Sequence, residues 1–323
     1  MLLLGIAIPT YSRLRPYSAL ISDLSRELLS LPIEEQESIR LSILENPSSH
    51  TSAKKKHLDS LPFGAVSVSF AENTTNIGGD SNIAQAYQSM PDCMFTWVIG
   101  DDERIRPGSL FSIISCLRSS SQTALLLLSD TTYILRPRLR SIGSWPTYLD
   151  FARSCAALQP HLLIAHTLIS SNIVRTECID IVAYMHDLNL VKPRLGLKIS
   201  FAHMKAIVSG LSRGQGSVSE IQLLSVPVLD TSQREDSNDP FTHNEILLLY
   251  RHYINWLFAE LGLDTSTLVK YPEMTFYNPP VAKLILALIR SAYSKWSRII
   301  SRKLDRLNAL VATIPTSAGN ICR

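Results

Sequence analysis

The stretch MFTWVIGDDERIRPGSL, Met94 to Leu110, runs apolar up to a glycine and then sets three carboxylates side by side, Asp101, Asp102 and Glu103. The apolar run reads as a buried β-strand, and the glycine as the turn that ends it. Adjacent like charges repel, and a carboxylate taken out of water unpaired is costly. Such a cluster at the mouth of a strand makes chemical sense where a cation neutralises it. Mg2+ and Mn2+ are hard cations that take oxygen ligands of this kind and keep sites open for phosphates. From spacing alone the alternative is a solvated turn in which Arg104 and Arg106 pair with the acids.

Outward from this stretch, short runs rich in Ile and Val alternate with segments of helical period, the pattern of a largely parallel sheet covered by helices. LLLGIAI (Leu2–Ile8) ends in Pro9-Thr10-Tyr11 and leads to a helix over Tyr17 to Leu29. SIRLSILEN, AVSVSF, CMFTWVIG and TALLLLS supply four more strands. Asn76 to Asp80 read as a turn, with Asp80 or Ser81 capping a helix to Met90, and Pro107 suits the first position of the next helix. HLLIAHTLISSNIVR reads as a strand pair followed by a helix from Thr176 to Asp187. A second helix runs through SFAHMKAIVSGL, and EIQLLSVPVLD is a closing strand. Each of the first four strands delivers polar or glycine-rich sequence at its C-terminal end, the edge at which open α/β sheets bind ligands.

The 323 residues are 46% hydrophobic and carry a net charge of +3, which argues against a nucleic-acid binder that uses its whole surface. Five cysteines without a CxxC pair read as reduced thiols of a cytoplasmic protein. The apolar N-terminus lacks a basic n-region and breaks at Pro9, so it reads as a strand rather than a leader. No long uncharged apolar run predicts a transmembrane helix.

Four segments, LGIAIPTYSRLRPYSALISDL, LSILENPSS, NIGGDSNIAQAYQ and WVIGDDERIRPGSL, occur in an order and at distances that resemble glycosyltransferase family 2. These are inverting enzymes of GT-A fold, and the similarity points to the abequosyltransferase-like and rhamnosyltransferase-like members that build bacterial surface polysaccharides. It covers residues 1 to 130, and TLISSNIVR with FAHMKAIVSGL extends it to 212. The resemblance implies a nucleoside diphosphate sugar donor, with Thr10 and Tyr11 lining the base and Glu45-Asn46 in place of the family's usual base-contacting Asp. Asn76, Gly78, Gly79 and Asn82 match the turn near the ribose and phosphates. Asp101, Asp102 and Glu103 match the Asp-x-Asp motif, with Asp101 and Glu103 as ligands of Mg2+ or Mn2+ and Asp102 supporting them or contacting the ribose.

Transfer of a sugar leaves negative charge on the departing diphosphate, which a divalent cation stabilises as a Lewis acid. Inversion also needs a base on the opposite face, worth typically ~10² to 10⁴-fold in rate. The resemblance places that base some eighty to one hundred residues beyond the acidic motif, where Asp187, Asp180 and Glu177 lie. Asp187, at the end of a helix, is preferred, and His203 is a different candidate. Lys192, Arg194 and Lys198 form a basic loop suited to the diphosphate or to plain solvent, and Lys54 to Lys56 have the same two readings. From Val281 to Val311, Ile285, Leu288, Trp296 and Ile299 share one face, while Arg290, Arg298, Arg302 and Arg306 cluster on another. This basic amphipathic pattern suits an anionic membrane surface or a packed partner.

The expected organisation is therefore an α/β GT-A catalytic domain over 1–230, a mixed and mainly parallel sheet between helices. A linker at 231–240 and a helical extension over 241–323 follow. The expected partners are the donor, a saccharide or lipid-linked glycan acceptor and an anionic membrane surface, with no nucleic acid. The expected place is the cytoplasm, at the inner membrane face. Two rivals stand beside this reading. A sugar-phosphate nucleotidylyltransferase would need a glycine-rich loop after the first strand, and PTYSRLRP has no glycine. A non-catalytic scaffold that binds nucleotide or glycan would keep the fold without turnover.

Overall fold

The computed structural model describes residues 1–130, 144–158, 166, 168–191, 202–212, 218–229 and 261–262. The linker 231–240, the extension apart from residues 261–262, and the basic loop of Lys192, Arg194 and Lys198 lie outside the described residues.

The chain begins with strand β1 (Leu2–Tyr11), helix α1 (Leu14–Leu29), a short helix α2 (Ile33–Gln36), β2 (Ile39–Asn46), α3 (Thr51–Asp59) and β3 (Ser67–Glu72). It continues with α4 (Gly79–Gln88), β4 (Cys93–Val98), α5 (Ser109–Ser119) and β5 (Thr123–Asp130). Then come β6 (Ser144–Trp145), α6 (Tyr148–Leu158), β7 (Asn172–Arg175), α7 (Ile181–Val191), α8 (Ala202–Ser212) and β8 (Glu220–Leu229). Among the described residues these strands form one sheet in the order β3-β2-β1-β4-β7-β5-β8-β6. β3, β2, β1 and β4 run parallel; β7 is antiparallel to both β4 and β5, β8 is parallel to β5, and β6 is antiparallel to β8. The mixed, mainly parallel sheet between helices expected for a GT-A fold is present.

Period-two alternation in β1 explains the two cores. Leu4, Ile6 and Ile8 face α1 and α5, where Tyr17, Leu20, Ile21, Leu24 and Leu28 present a stripe at helical spacing. Ala7 faces the opposite layer with Tyr87, Met90 and Ala206. Gly5 also belongs to that layer, because a Cβ there would come within 2.6 Å of Met90 Sδ and 2.9 Å of Cys93 Sγ. Any larger residue there would have to displace the buried Met90 and Cys93 side chains.

Several boundaries differ from the sequence expectation, each for a local reason. α1 starts at Leu14 rather than Tyr17, with Arg13 in the cap position. α4 starts at Gly79, and Gly78 stands in the cap position at φ 86°, so Asp80 and Ser81 lie inside the first turn rather than capping it. Pro107 lies ahead of the cap of α5, which is Gly108 at φ 79°. Of the strand pair expected over residues 161–175, the described residues hold one short strand, β7, preceded by a 3-10 turn at Ile169–Ser171, and residues 161–165 and 167 lie outside the described residues. α7 begins at Ile181, because Asp180 caps it through a 2.9 Å bond from Ala183 N–H to Asp180 Oδ1. Among the described residues no helix is long and apolar enough to cross a membrane.

Candidate active site

The register of the parallel strands assembles the candidate residues. Thr10 lies beside Glu45 and Tyr11 beside Asn46 at the ends of β1 and β2. β4 ends alongside β1, with Val98 beside Ala7, and hands over to the turn that carries Asp101, Asp102 and Glu103. In that turn Glu103 N–H donates to Gly100 O at 3.2 Å. The three acids are thus brought to the C-terminal edge of the sheet beside the Thr10, Tyr11, Glu45 and Asn46 segment.

Asp101 is 7% exposed. Its Oδ2 accepts from Thr10 Oγ1 at 2.6 Å and from Tyr11 N–H at 3.3 Å. Arg13 Nη1 stands 3.5 Å from Asp101 Oδ1 and 2.6 Å from Asp102 Oδ2. Burial raises the Asp101 carboxyl above the ordinary carboxylate range; the Thr10 hydrogen bond and the Arg13 charge oppose this, and the Asp102 charge adds to it. Glu103 is buried at the end of the same turn.

The turn is anchored from two other elements. Asp23 of α1, itself buried, takes Arg104 Nε at 2.7 Å, Arg104 Nη2 at 3.2 Å and Ile105 N–H at 3.3 Å. One turn later Glu27 receives Gly108 N–H at 3.0 Å and Leu110 N–H at 3.2 Å, capping α5 with a carboxylate that also suits its dipole. On the other side, Gly100 N–H donates to Ser170 Oγ at 3.0 Å, and Trp97 Nε1 donates to Ser170 O at 2.8 Å. Arg104 is therefore held by α1, while Arg13 is placed against both Asp101 and Asp102.

Next to this turn lies a buried ion pair that sequence reasoning did not single out. Lys54 and Glu45 are both 0% exposed, with Lys54 Nζ 2.9 Å from Glu45 Oε2. The same ammonium donates to Thr10 Oγ1 at 2.6 Å and lies 5.3 Å from the centre of the Tyr17 ring. Glu45 Oε1 accepts from Ser48 Oγ at 3.1 Å and Thr51 Oγ1 at 3.0 Å. A chain of donors thus runs from Lys54 through Thr10 to Asp101. Of the two readings of the lysine run, Lys55 and Lys56 are exposed while Lys54 is core.

The asparagines form a second network. Asn46 Oδ1 accepts from Asn73 Nδ2 at 3.0 Å and Ile77 N–H at 3.3 Å, and Asn46 Nδ2 reaches Gly78 O at 3.4 Å. Asn82 Nδ2 donates to Leu44 O at 2.9 Å and Thr10 O at 3.4 Å, tying β1 to β2. Asn76 Oδ1 takes Gly78 N–H at 2.9 Å and closes the turn. A Cβ on Gly78 or Gly79 would meet nothing within 4 Å, so the amino end of α4 borders open space, where a ligand's anionic groups are favoured.

The base candidates are placed less closely. Asp187 lies in α7, but its side chain lies outside the described residues. Asp180 is buried as the cap of α7 and takes Ser209 Oγ at 3.3 Å. Glu177 is exposed, and His203 is buried in α8 near His166.

No family model matches the sequence. No curated protein matches it. Among solved structures, S. aureus TarS 1–349 in complex with UDP-GlcNAc is similar, with TM-score 0.49 and 16% identity over 85% of this chain and 70% of that one. The mannosyltransferase PcManGT from Pyrobaculum calidifontis, in complex with GDP-Man and Mn2+, is similar with TM-score 0.46 and 11% identity over 93% and 80%. Against two further crystal structures of TarS, the chain spans 60% and 36% of the relative's length.

Arg13, Asp23, Glu27, Asn73 and Ser170 are the site residues that sequence reasoning missed, together with the burial of Lys54 against Glu45. Three of these leave a readable signal. Asp23 and Glu27 sit four apart beside the apolar stripe of α1, and Thr51, Lys54 and Leu58 share one helical face.

Proposed function

We propose that this protein transfers a glycosyl unit, with inversion, from a nucleoside diphosphate sugar to a saccharide acceptor. The observation that carries the reading is the convergence of Thr10, Asp101 and Asp102 at the C-terminal edge of the sheet, where Asp101 Oδ1 and Asp102 Oδ2 already share one cationic partner. The family 2 resemblance of the four ordered segments supports it.

Among the described residues no group of three or more His, Cys, Asp or Glu could hold a metal by itself. The donor set fits Mg2+ or Mn2+ all the same, because such ions are usually held by one or two carboxylates plus substrate phosphates. Asp101 supplies one of those carboxylates; the resemblance gives Glu103 as the second, and Asp102, which shares the Arg13 guanidinium with Asp101, is the other candidate. When bound, the cation supplies Lewis-acid stabilisation of the leaving diphosphate. Thr10 and Tyr11 N–H orient Asp101, and Asp23 and Ser170 hold the turn so that its carboxylates stay aimed. Asn46 and Asn82 set the ends of β1 and β2 and the turn before α4, whose Gly78 and Gly79 leave room for phosphates. Asp187 is the proposed base and His203 the alternative. The acceptor class is a lipid-linked glycan of surface polysaccharide synthesis, met at the inner membrane face with the extension over 241–323 against anionic lipid.

Thermal stability with UDP, GDP, CDP and dTDP, each with and without Mn2+, tests the site beside Asp101→Asn. A ligand at one hundred times its Kd stabilises by about 2.7 kcal/mol. The expected result is a Mn2+-dependent rise for one nucleotide that Asp101→Asn lacks. No rise with any nucleotide would remove the donor site, and binding without turnover of the corresponding sugars would favour the scaffold.

A further inference from the structure

The position of Arg13 has a consequence for how the acidic turn takes up its cation. Asp101 Oδ2 is engaged by Thr10 and Tyr11, so Asp101 Oδ1 and Asp102 Oδ2 are the oxygens turned toward a common point, and Arg13 Nη1 occupies it. The side chain of Arg13 is 39% exposed, whereas those of Asp101 and Asp102 are 9% and 11% exposed. The cation therefore comes from the solvent side, on a long flexible stem.

Its backbone, by contrast, is fixed. Arg13 is the cap residue of α1, and Arg13 N–H donates to Tyr11 O at 2.7 Å across Ser12, which has φ 55°. Among the described residues Ser12 is the one non-glycine residue with positive φ. A three-residue turn of this hand is rare and strained, and such strain clusters where a functional geometry is held. Here it reverses the chain directly after β1 and sets Arg13 over the acids.

We propose that Arg13 and a divalent cation exchange at one seat: Arg13 holds the Asp101–Asp102 pair in the empty enzyme, and on metal binding it swings out to become a ligand of the donor's diphosphate. The inference rests on the donor-site reading above. Arg13 brings one positive charge to two carboxylates, and a divalent ion matches them better. The guanidinium then has a rotamer change, not a loop movement, between itself and the incoming phosphates, for which its planar fork is suited. Apparent metal affinity is lowered by the fraction of time Arg13 occupies the seat.

Mn2+ binding by electron paramagnetic resonance, without nucleotide, tests this on the full chain and its Arg13→Gln, Arg13→Lys and Asp101→Asn variants. If Arg13 holds the seat nine-tenths of the time, Arg13→Gln binds Mn2+ about tenfold more tightly than wild type. Arg13→Lys, which keeps the charge, stays closer to wild type. At saturating Mn2+, the nucleoside diphosphate selected by the thermal panel should bind Arg13→Gln more weakly. Opposite signs in the two measurements distinguish exchange from a merely structural arginine. Mn2+ affinity in Arg13→Gln no higher than in wild type overturns the exchange and leaves the donor site standing. Metal uptake that Asp101→Asn does not diminish, with nucleotide present, overturns the site reading itself.

Discussion

Replacing Lys54 by methionine keeps the length of the stem and removes the charge, and it should be among the most damaging single changes to the sheet edge. The ammonium it deletes is fully buried, 2.9 Å from Glu45 Oε2 and 2.6 Å from Thr10 Oγ1. Glu45 would be left out of water with only the hydroxyls of Ser48 and Thr51. Breaking a buried pair by removing one partner costs about 3–5 kcal/mol, most of it the cost of the stranded charge. Glu45→Gln strands Lys54 and should cost a similar amount. If the two losses were independent, the double variant would lose about 6–10 kcal/mol, most or all of a typical domain's stability. Because Gln keeps an acceptor for Ser48 and Thr51, the double variant should instead lie within about 1 kcal/mol of the worse single one. Urea unfolding at pH 7 measures all four corners of the cycle. The pair is out of reach of counterions, so the coupling should persist at 1 M NaCl, where exposed pairs are screened. A loss below about 1 kcal/mol for Lys54→Met, or additivity within about 0.5 kcal/mol, would refute the buried-pair reasoning.

Two further outcomes follow from single contacts. Glu27→Gln removes the charge and one acceptor from the two amides it caps at α5 and should cost about 1–2 kcal/mol in urea unfolding, while a loss under 0.5 kcal/mol would deny it the cap. His166 is buried against Tyr148 and Asn172, and burial lowers its pKa to about 3. A base whose folded pKa lies below its unfolded value of about 6.5 stabilises fully above that value and loses its contribution as pH falls toward the folded value. Between pH 7 and pH 5 the loss is about 2 kcal/mol, and His166→Gln should flatten the stability profile by that amount; an unchanged slope would mean that His166 titrates normally.

Much of the fold was legible because β1, β2 and β4 are buried on both faces and β5 continues the same core, so they read as apolar runs with polar ends. What escaped was decided by partners distant in sequence. Among the described residues β6 has two residues and pairs only with β8. A residue such as Asp23, 81 positions from Arg104, looks in sequence like an ordinary helix acid. The glycine caps were missed for a different reason. Asp80, Ser81 and Pro107 carry the usual helix-start chemistry, but positive φ at Gly78 and Gly108 moves both starts. The acidic turn was legible as a cation site, whereas the choice of Arg13 over Arg104 and Arg106 was not. That choice depends on α1 supplying Asp23 to take Arg104.

The two acids of α1 and the cation ahead of it therefore act together. Asp23 withdraws Arg104 from the turn, Glu27 fixes the start of α5 beyond it, and Arg13, at the head of the same helix, covers the carboxylates. Had Arg104 been the partner, the cation on Asp101 and Asp102 would be the same side chain that ties the turn to α1 through Asp23, so its release would bear on the anchoring of the turn. Arg13 reaches across from another strand end on a partly exposed side chain, so it can leave while Thr10, Tyr11, Asp23 and Ser170 keep the turn in place. A site organised this way can exchange its cation without refolding its carboxylates. Restoring an internal partner by Asp23→Asn should therefore slow or weaken Mn2+ uptake even though Asp23 lies behind the turn and not among its ligands.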